Sequence, residues 1–363
     1  MESAPLKNKK ITAFILVILY LGCIFLYAQD TPKTYIAQKT IDTIIIDGKP
    51  NEISWQKAKW TDLFIDIEGE LQPKYHTKLK MIWDTGYLYF FAELKEPHVW
   101  ATLKQRDTVI FYNNDFEIFI DPQGDTHNYY EYEMNALNTV WDLFLSKPYR
   151  NNGTILGDWD FKGLRSAVDI QGTLNDPSDT DEGWSLEVAI PWSFTTAPGG
   201  KTKIPENKFW RMNFSRVNWD FNLTNGTYSR KKNAKTGEFL PEYNWVWSPQ
   251  GVINMHEPEH WGYVYFSGDT VGDKSVFEIP KDEHIKWYLY EIYRNIRAKD
   301  SKTSKWQPIN TEVYVKPKEI LGKTVVPILE NCTFGYVLWA KSPFSKKTLT
   351  IHNDGKFESH ENK

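Results

Sequence analysis

Cysteine is nearly missing from this chain of 363 residues, which holds two, Cys23 and Cys332. Cys23 falls inside an N-terminal segment of export type, so a mature chain keeps Cys332 alone and no intrachain disulfide can staple the fold. The core must therefore suffice unaided, and about 330 mature residues are enough for one large sandwich with an appendage. Charge of one sign is missing too: 43 Lys and Arg stand against 47 Asp and Glu, mixed along the chain, for a net charge of −4. That balance argues against nucleic acid or an anionic membrane surface as partner. Also absent are Gly-x-Ser-x-Gly, a Walker loop, His-Glu-x-x-His and paired Cys-x-x-Cys, and with them the common hydrolase and metal signatures.

What is present begins at the N-terminus. Lys7, Lys9 and Lys10 precede an apolar run from Ile11 to Ala28, followed by Gln29-Asp30-Thr31-Pro32. This is the layout of an export signal over residues 1–28, with Ala28 as the small residue before the cut and a mature start near Gln29. Leu26 is a poorer fit than alanine at the third position back. Two other readings stand beside it: the run of about 18 residues is near the length that spans a bilayer uncut as a signal anchor, and Leu21-Gly22-Cys23 is similar to a lipoprotein cleavage site. The expected location is periplasmic, cell-surface or secreted, with a membrane as partner only if the segment is uncleaved.

Aromatic residues are abundant, with 16 Trp, 20 Tyr and 20 Phe making 15% of the chain. Flat rings pack well on pleated sheets, which accounts for most of them, and the excess leaves some to face a ligand. Along the mature chain the pattern has period two, interrupted by turn residues about every ten positions, which predicts many short strands. Lys78–Trp83 and Tyr87–Leu94 form the clearest hairpin, around Asp84-Thr85-Gly86. In Asp115–Asp121, Phe116, Ile118 and Ile120 share one face, and Asp115, Glu117 and Asp121 the other. In the next strand Tyr130, Tyr132, Met134 and Ala136 fall opposite Tyr129, Glu131, Glu133 and Asn135. Trp141–Leu145, Leu164–Ile170, Trp184–Ile190 and Phe209–Val217 read as further strands, and Lys231–Lys235 as a solvated hairpin tip. The fold class is all-β, an antiparallel β-sandwich of immunoglobulin-like or jelly-roll-like kind over residues 29–268. Asp269–Asp273 is linker-like, and Pro280-Lys281-Asp282-Glu283 opens a helix of about residues 281–298, whose stripe Ile285, Leu289, Ile292, Tyr293 and Ile296 predicts packing on short strands near 324–328, 336–340 and 348–351. Residues 269–363 thus form a small α+β appendage without a chemical motif.

Two carboxylate pairs stand out, Asp115 with Glu117 and Glu131 with Glu133. Neighbours on one strand face lie about 7 Å apart by strand rise, compatible with glycoside hydrolysis but equally with holding solvent, calcium or a ligand hydroxyl. A binding role is favoured over a catalytic one.

Several motifs in order resemble the family 9 carbohydrate-binding modules of xylan-degrading systems and their exported relatives. They are Ile46-Asp47-Gly48 with Glu52 and Trp55; Trp83-Asp84 with Tyr87-Leu88-Tyr89; Asp115 to Asp121; Trp184 to Trp192; Trp210-Arg211-Met212-Asn213; and Pro258-Glu259-His260-Trp261-Gly262. The resemblance spans Ile45 to Phe266. It implies a sandwich whose sugar slot is walled by two rings and floored by polar side chains, often with structural calcium and with no cofactor required. Carried across by position, the first wall falls on Phe111 or Tyr112, Glu117 and Asn135 match polar sugar contacts, and Glu133 replaces a basic residue. The second wall falls at Met255 beside His256, where no tryptophan stands, with Trp245, Trp247 or Trp261 nearby to serve instead.

Each of these residues has a plainer reading: Trp55, Trp83, Trp184 and Trp210 as packing residues, Glu117 as a solvent or calcium contact, Asn135 as a turn pin, His256 and His260 as surface histidines. His98 and Trp100 stay unassigned. The expected function is non-catalytic carbohydrate binding that assists polysaccharide catabolism of the xylan or cellulose type, with a polysaccharide or oligosaccharide as partner and glycoside hydrolases beside it. A second reading is a b-type haem module drawing axial ligands from Met134, Met212, Met255, His256 or His260, though adjacent Met255 and His256 cannot easily clamp opposite faces of one haem. A third is a glycoside hydrolase using Glu117 and Glu133.

Overall fold

The computed structural model describes residues 31–196, 200–300 and 308–362; the export segment lies outside them. The strands are β1 (Thr34–Lys39), β2 (Ile65–Asp66), β3 (Thr77–Trp83), β4 (Tyr87–Lys95), β5 (Asp115–Asp121), β6 (Tyr129–Asn135), β7 (Val140–Leu145), β8 (Ile155–Leu156), β9 (Arg165–Gln171), β10 (Gly183–Pro191), β11 (Phe209–Asn218), β12 (Phe221–Thr224), β13 (Thr227–Arg230), β14 (Tyr243–Val246) and β15 (Gly262–Thr270). A short helix, α1 (Ile53–Lys57), interrupts them. Thirteen of these strands join in the order β8-β7-β6-β5-β11-β15-β1-β3-β4-β10-β9, with β14 pairing β11 and β2. Pairing is antiparallel except where β1 runs parallel to β15 and to β3.

The two halves of this path face each other across one apolar core. Phe116, Ile118, Tyr132, Met134, Met212 and Phe214 from the β5–β6–β11 half meet Phe90, Trp184, Leu186 and Val188 from the other, with the Phe90 and Phe214 rings 5.8 Å apart. That is the predicted sandwich. The hairpin between β3 and β4 forms as expected, its turn held by Asp84, whose Oδ1 accepts from the N–H groups of Gly86 and Tyr87. Trp55, Trp83, Trp184 and Trp210 are buried. Trp55 has a further task, donating its indole N–H to Glu187, which also accepts from the backbone of Asp47 and Gly48. The Ile46-Asp47-Gly48 motif is thereby tied to β10. Gly48 is obligatory there: it has φ +84°, and a Cβ would lie 2.7 Å from the Asp169 nitrogen.

β15 continues through Thr270, two residues beyond the expected boundary at Gly268. Helix α2 (Lys281–Asp300) then packs its Ile285, Leu289, Ile292 and Ile296 stripe on strands β16 (Ile328–Cys332), β17 (Gly335–Lys341) and β18 (Lys347–His352). The appendage does not stand apart, because residues from Pro32 onward form one compact unit. Its polar seam is extensive: Lys286 donates to the Gly124 carbonyl, Tyr263 donates to Glu283 at 2.8 Å, and Arg294 pairs with Glu257 and Glu259.

Candidate functional site

The period-two alternation of β5 and β6 sends one set of side chains into the core and leaves the other set on the outer sheet face. The antiparallel register then decides which of those outer residues meet. Glu117 stands directly opposite Glu133, Phe119 opposite Glu131, and Asp115 opposite Asn135. The next strand places Trp141 beside Glu133 and Leu143 beside Glu131. This face is polar, as the alternation predicts, but it is not open to solvent: Asp115, Glu117, Glu131 and Glu133 are all buried.

Loops raise walls around it and leave a cleft of about 290 Å³. Glu117, Glu131 and Glu133 form its floor. Phe111 closes one side from a 3-10 turn at Ile110–Tyr112, held down because its backbone N–H donates to Glu133 Oε2 at 3.0 Å. Trp141 and Tyr149 stand on the β7 side, and Ile253, Met255 and His256 come from the loop before β15. The Trp141 indole is fixed by donation to the Gly157 carbonyl at 2.9 Å.

The floor carries more acid than base. Burial pushes Glu117 up to about 7, with the charge of Glu242 adding to it. Asp115, Glu131 and Glu133 are pushed well above the ordinary carboxylate range, first by burial and then by one another and by Glu117. His256 goes the other way. Burial, assisted by the charge of Arg150, holds it down at about 3, so its ring is neutral at pH 7 and pairs through Nδ1 with the Tyr129 hydroxyl at 2.8 Å. At neutral pH the cleft thus offers carboxyl and imidazole groups able to accept hydrogen bonds and, where protonated, to donate them.

Of the residues singled out in the sequence, Phe111, Glu117, Glu133, Met255 and His256 line this one cleft. Tyr112 does not. Its ring turns outward, 45% exposed, under the Arg230 guanidinium at 4.4 Å. Asn135 is the turn pin of the plainer reading: its amide donates to the Leu103 carbonyl and accepts from the N–H groups of Leu137 and Thr139, which corrects its expected place as a ligand contact. Trp245, Trp247 and Trp261 are buried and wall nothing, with the Trp261 indole donating to the Met255 carbonyl. His256 and His260 are not surface histidines. The first lines the cleft, and the second sits 3.4 Å from Glu257. Met134 and Met212 lie in the hydrophobic core, away from the cleft.

A family model described as "Carbohydrate family 9 binding domain-like" matches residues 46–234, 189 of the 363 residues. The chain belongs to that family. Among curated proteins it is 29% identical over 150 residues to endo-1,4-beta-xylanase C of Paenibacillus barcinonensis, covering 41% of this chain and 12% of that one. It is 26% identical over 172 residues to endo-1,4-beta-xylanase A of Thermotoga maritima, covering 47% of this chain and 14% of that one. The chain therefore spans less than a sixth of these relatives' length. Among solved structures, a family 9 carbohydrate-binding module from Caldicellulosiruptor kristjanssonii in complex with cellotriose aligns at TM-score 0.40 and 17% identity, over 68% of this chain and all of that one.

In this family 9 chain the matched segment contains the whole cleft floor, Phe111, Trp141 and Tyr149, whereas the Ile253–His256 lip and the appendage lie beyond it. Several lining residues were missed in the sequence. Glu131 was legible, two positions from Glu133 on the same strand face. Tyr149, Arg150 and Ile253 carry no signal in their own segments, because they sit on turns that only tertiary packing brings to the cleft.

Proposed function

We propose that the cleft binds the end or an exposed stretch of a polysaccharide and leaves it intact. The observation that carries this reading is the combination, in a family 9 chain, of ring walls at Phe111, Trp141 and Tyr149 with a buried carboxyl floor. A pyranose presents C–H groups on its faces and hydroxyls around its rim, so aromatic planes take the faces and Glu117, Glu133 and Asn254 take the rim.

Catalysis is disfavoured by the same floor. A glycosidase pair keeps one carboxyl ionised and the other protonated, across the bond being cut. Here Glu117, Glu131 and Glu133 sit side by side on the floor of one sheet face, not on two opposed walls of the cleft. No release of the aryl group is expected from aryl glycosides, and turnover that vanished in Glu117→Gln or Glu133→Gln would overturn the non-catalytic reading.

The export-type N-terminal segment supports action outside the cytoplasm, and the partial similarity to two xylanases supports work alongside glycoside hydrolases. Titration calorimetry against glucose, cellotriose and xylo-oligosaccharides tests the core of the proposal. The expected affinity is on the order of 10⁻⁴ to 10⁻⁶ M, typical of a shallow cleft. Absence of heat across a broad glycan panel would overturn it.

A further inference from the structure

The cleft gives no task to the lysine-rich run that the sequence marks as a solvated tip. Arg230-Lys231-Lys232 opens it and Lys235 ends it. The run folds as a short hairpin, in which the Leu240 N–H donates to the Lys231 carbonyl, the Asn233 N–H donates to the Glu238 carbonyl, and Lys232 pairs with Phe239. Lys231, Lys232 and Lys235 are exposed, but Arg230, at the end of β13, is half-buried. Its guanidinium carbon lies 4.4 Å from the centre of the Tyr112 ring, 4.6 Å from that of Trp219 and 3.9 Å from that of Phe239. Among the described residues no other arginine lies over more than one ring.

This aromatic box holds the guanidinium in place and leaves its charge uncompensated. Trp219 is buried and fixed twice, its indole donating to the Phe111 carbonyl at 2.7 Å and its backbone N–H to Asn114 at 2.8 Å. Carboxylates hold Arg106, Arg211, Arg216 and Arg294, whereas none among the described residues pairs with Arg230. Rings cover the faces of a guanidinium and leave its N–H edge free. That edge is the part that matches an oxyanion through two parallel hydrogen bonds.

We propose that Arg230, with Lys232 beside it, binds an oxyanion carried by the glycan, a uronic acid carboxylate or a sulfate ester, as a second contact just outside the cleft. The inference rests on the carbohydrate reading of the cleft. The Tyr112 ring that stacks on Arg230 lies 4.9 Å from the ring of Phe111, which walls the cleft, and Glu242, three positions after Phe239, lines the cleft as well. One ring thus separates the two contacts. Charge divides the ligand between them, because a floor of carboxyl groups gives an anion no cation to pair with, whereas the hairpin does. Lys232 adds a second cation on the same side, its Nζ 4.8 Å from the centre of the Phe239 ring. Arg150, at the rim of the cleft, is exposed and lies over one ring at 5.8 Å, so its fork is held less firmly than that of Arg230.

Calorimetry on the full chain compares xylo-oligosaccharides of one length that carry no charge, one glucuronic acid or one sulfate ester. At about 50 mM NaCl a charged form is expected to bind about fivefold tighter than the uncharged one, an advantage that shrinks as salt rises to about 500 mM. Whichever charged form gains identifies the source of the oxyanion. Arg230→Met keeps an apolar stem in the aromatic box and is expected to remove the advantage, with the uncharged form still within about twofold of the wild type. Arg230→Lys keeps the charge without the planar fork, and its advantage is expected to fall below about twofold. Should Arg230→Met fail to fold, Arg230→Lys carries the test. In Arg150→Gln the ratio between charged and uncharged forms is retained. Equal affinity of the wild type for all three sugars overturns the proposal and leaves the carbohydrate reading standing. An advantage that survives in both folded Arg230 variants assigns Arg230 to packing and overturns it too, as does one that disappears in Arg150→Gln. Absence of heat from all three sugars overturns the carbohydrate reading and this inference with it.

Discussion

The two ends of β5 bury a carboxyl group equally completely and treat it differently. At the C-terminal end Asp121 accepts hydrogen bonds from the backbone N–H groups of Gln123, Gly124 and Thr126, and the ammonium of Lys286 from α2 lies near enough to favour its charge. At the N-terminal end Asp115 has no side-chain hydrogen-bond partner, and its neighbours across the cleft floor are further acids. The strand is the same, and so is the alternation that turned both residues outward. What differs is the company they keep: a lysine from the chain's own helix at one end, and at the other the acids that floor the cleft.

The lesson is that an acidic residue on the outer face of a sheet has no fixed meaning until its cover is known. Where the appendage docks, the fold supplies base and backbone donors, and the acids serve cohesion. On the cleft floor no lysine or arginine among the described residues pairs with Asp115, Glu117 or Glu133, and the acids face one another instead.

The sharpest way to break this contrast is Lys286→Met. It removes a fully buried ammonium that donates to the Gly124 carbonyl and balances Asp121 and Glu283. A loss of about 3–5 kcal/mol is expected in urea unfolding, the usual cost of orphaning one side of a buried charge group. Asp115→Asn is expected to change stability by no more than about 1 kcal/mol, because burial already disfavours its charged form and the amide is neutral and of the same size. Equal losses from the two substitutions would remove the distinction between the ends.

A pH series sharpens the docked end. Asp121 is raised to about 6, chiefly by burial and then by the charge of Asp125, against the pull of Lys286 and of the backbone donors. The folded state therefore holds this proton more tightly than the unfolded chain, whose carboxyl titrates near the ordinary 3.8. The stability tied to it is fully present below about 4 and is lost as pH rises through about 6, a difference of about 1–3 kcal/mol. Urea midpoints between pH 4 and 7 should show that decline, and Asp121→Asn should flatten it.

Smaller effects belong to the cleft walls. Phe111→Ala or Tyr149→Ala is expected to weaken glycan binding about tenfold, the worth of one aromatic contact, with little change in melting temperature. Tyr112→Ala, whose ring faces away from the cleft, should leave affinity within about twofold, since a residue outside the contact contributes little to it. If Tyr112 proved the stronger wall, the placement of the cleft along this 3-10 turn would be wrong.

How much of this was legible beforehand follows from the range of the forces involved. The sandwich, the β3–β4 hairpin, the faces of β5 and β6 and the apolar stripe of α2 were all readable, because period two and period 3.6 are local properties of a chain. Glu117, Glu133, Phe111, Met255 and His256 were picked out, and all five line the cleft. Asn135 shared their face and was assigned with them, but its side chain turned to Leu103, Leu137 and Thr139 in its own turn. Tyr112 and Phe111 are adjacent and similar in character. Only the 3-10 turn, with the Phe111 N–H on Glu133, determines which of the two rings faces inward.

From its sequence alone the protein was committed to a disulfide-free β-sandwich with a helical appendage and a strand face rich in acids, since strand alternation and hydrophobic burial act between near neighbours. The cover over that face was decided by tertiary structure. Lys286 lies 165 positions from Asp121, and His256 lies 125 from Glu131, yet the first balances a buried acid and the second closes the cleft. Burial and charge compensation depend on distance in space, and no local pattern encodes separations of that length.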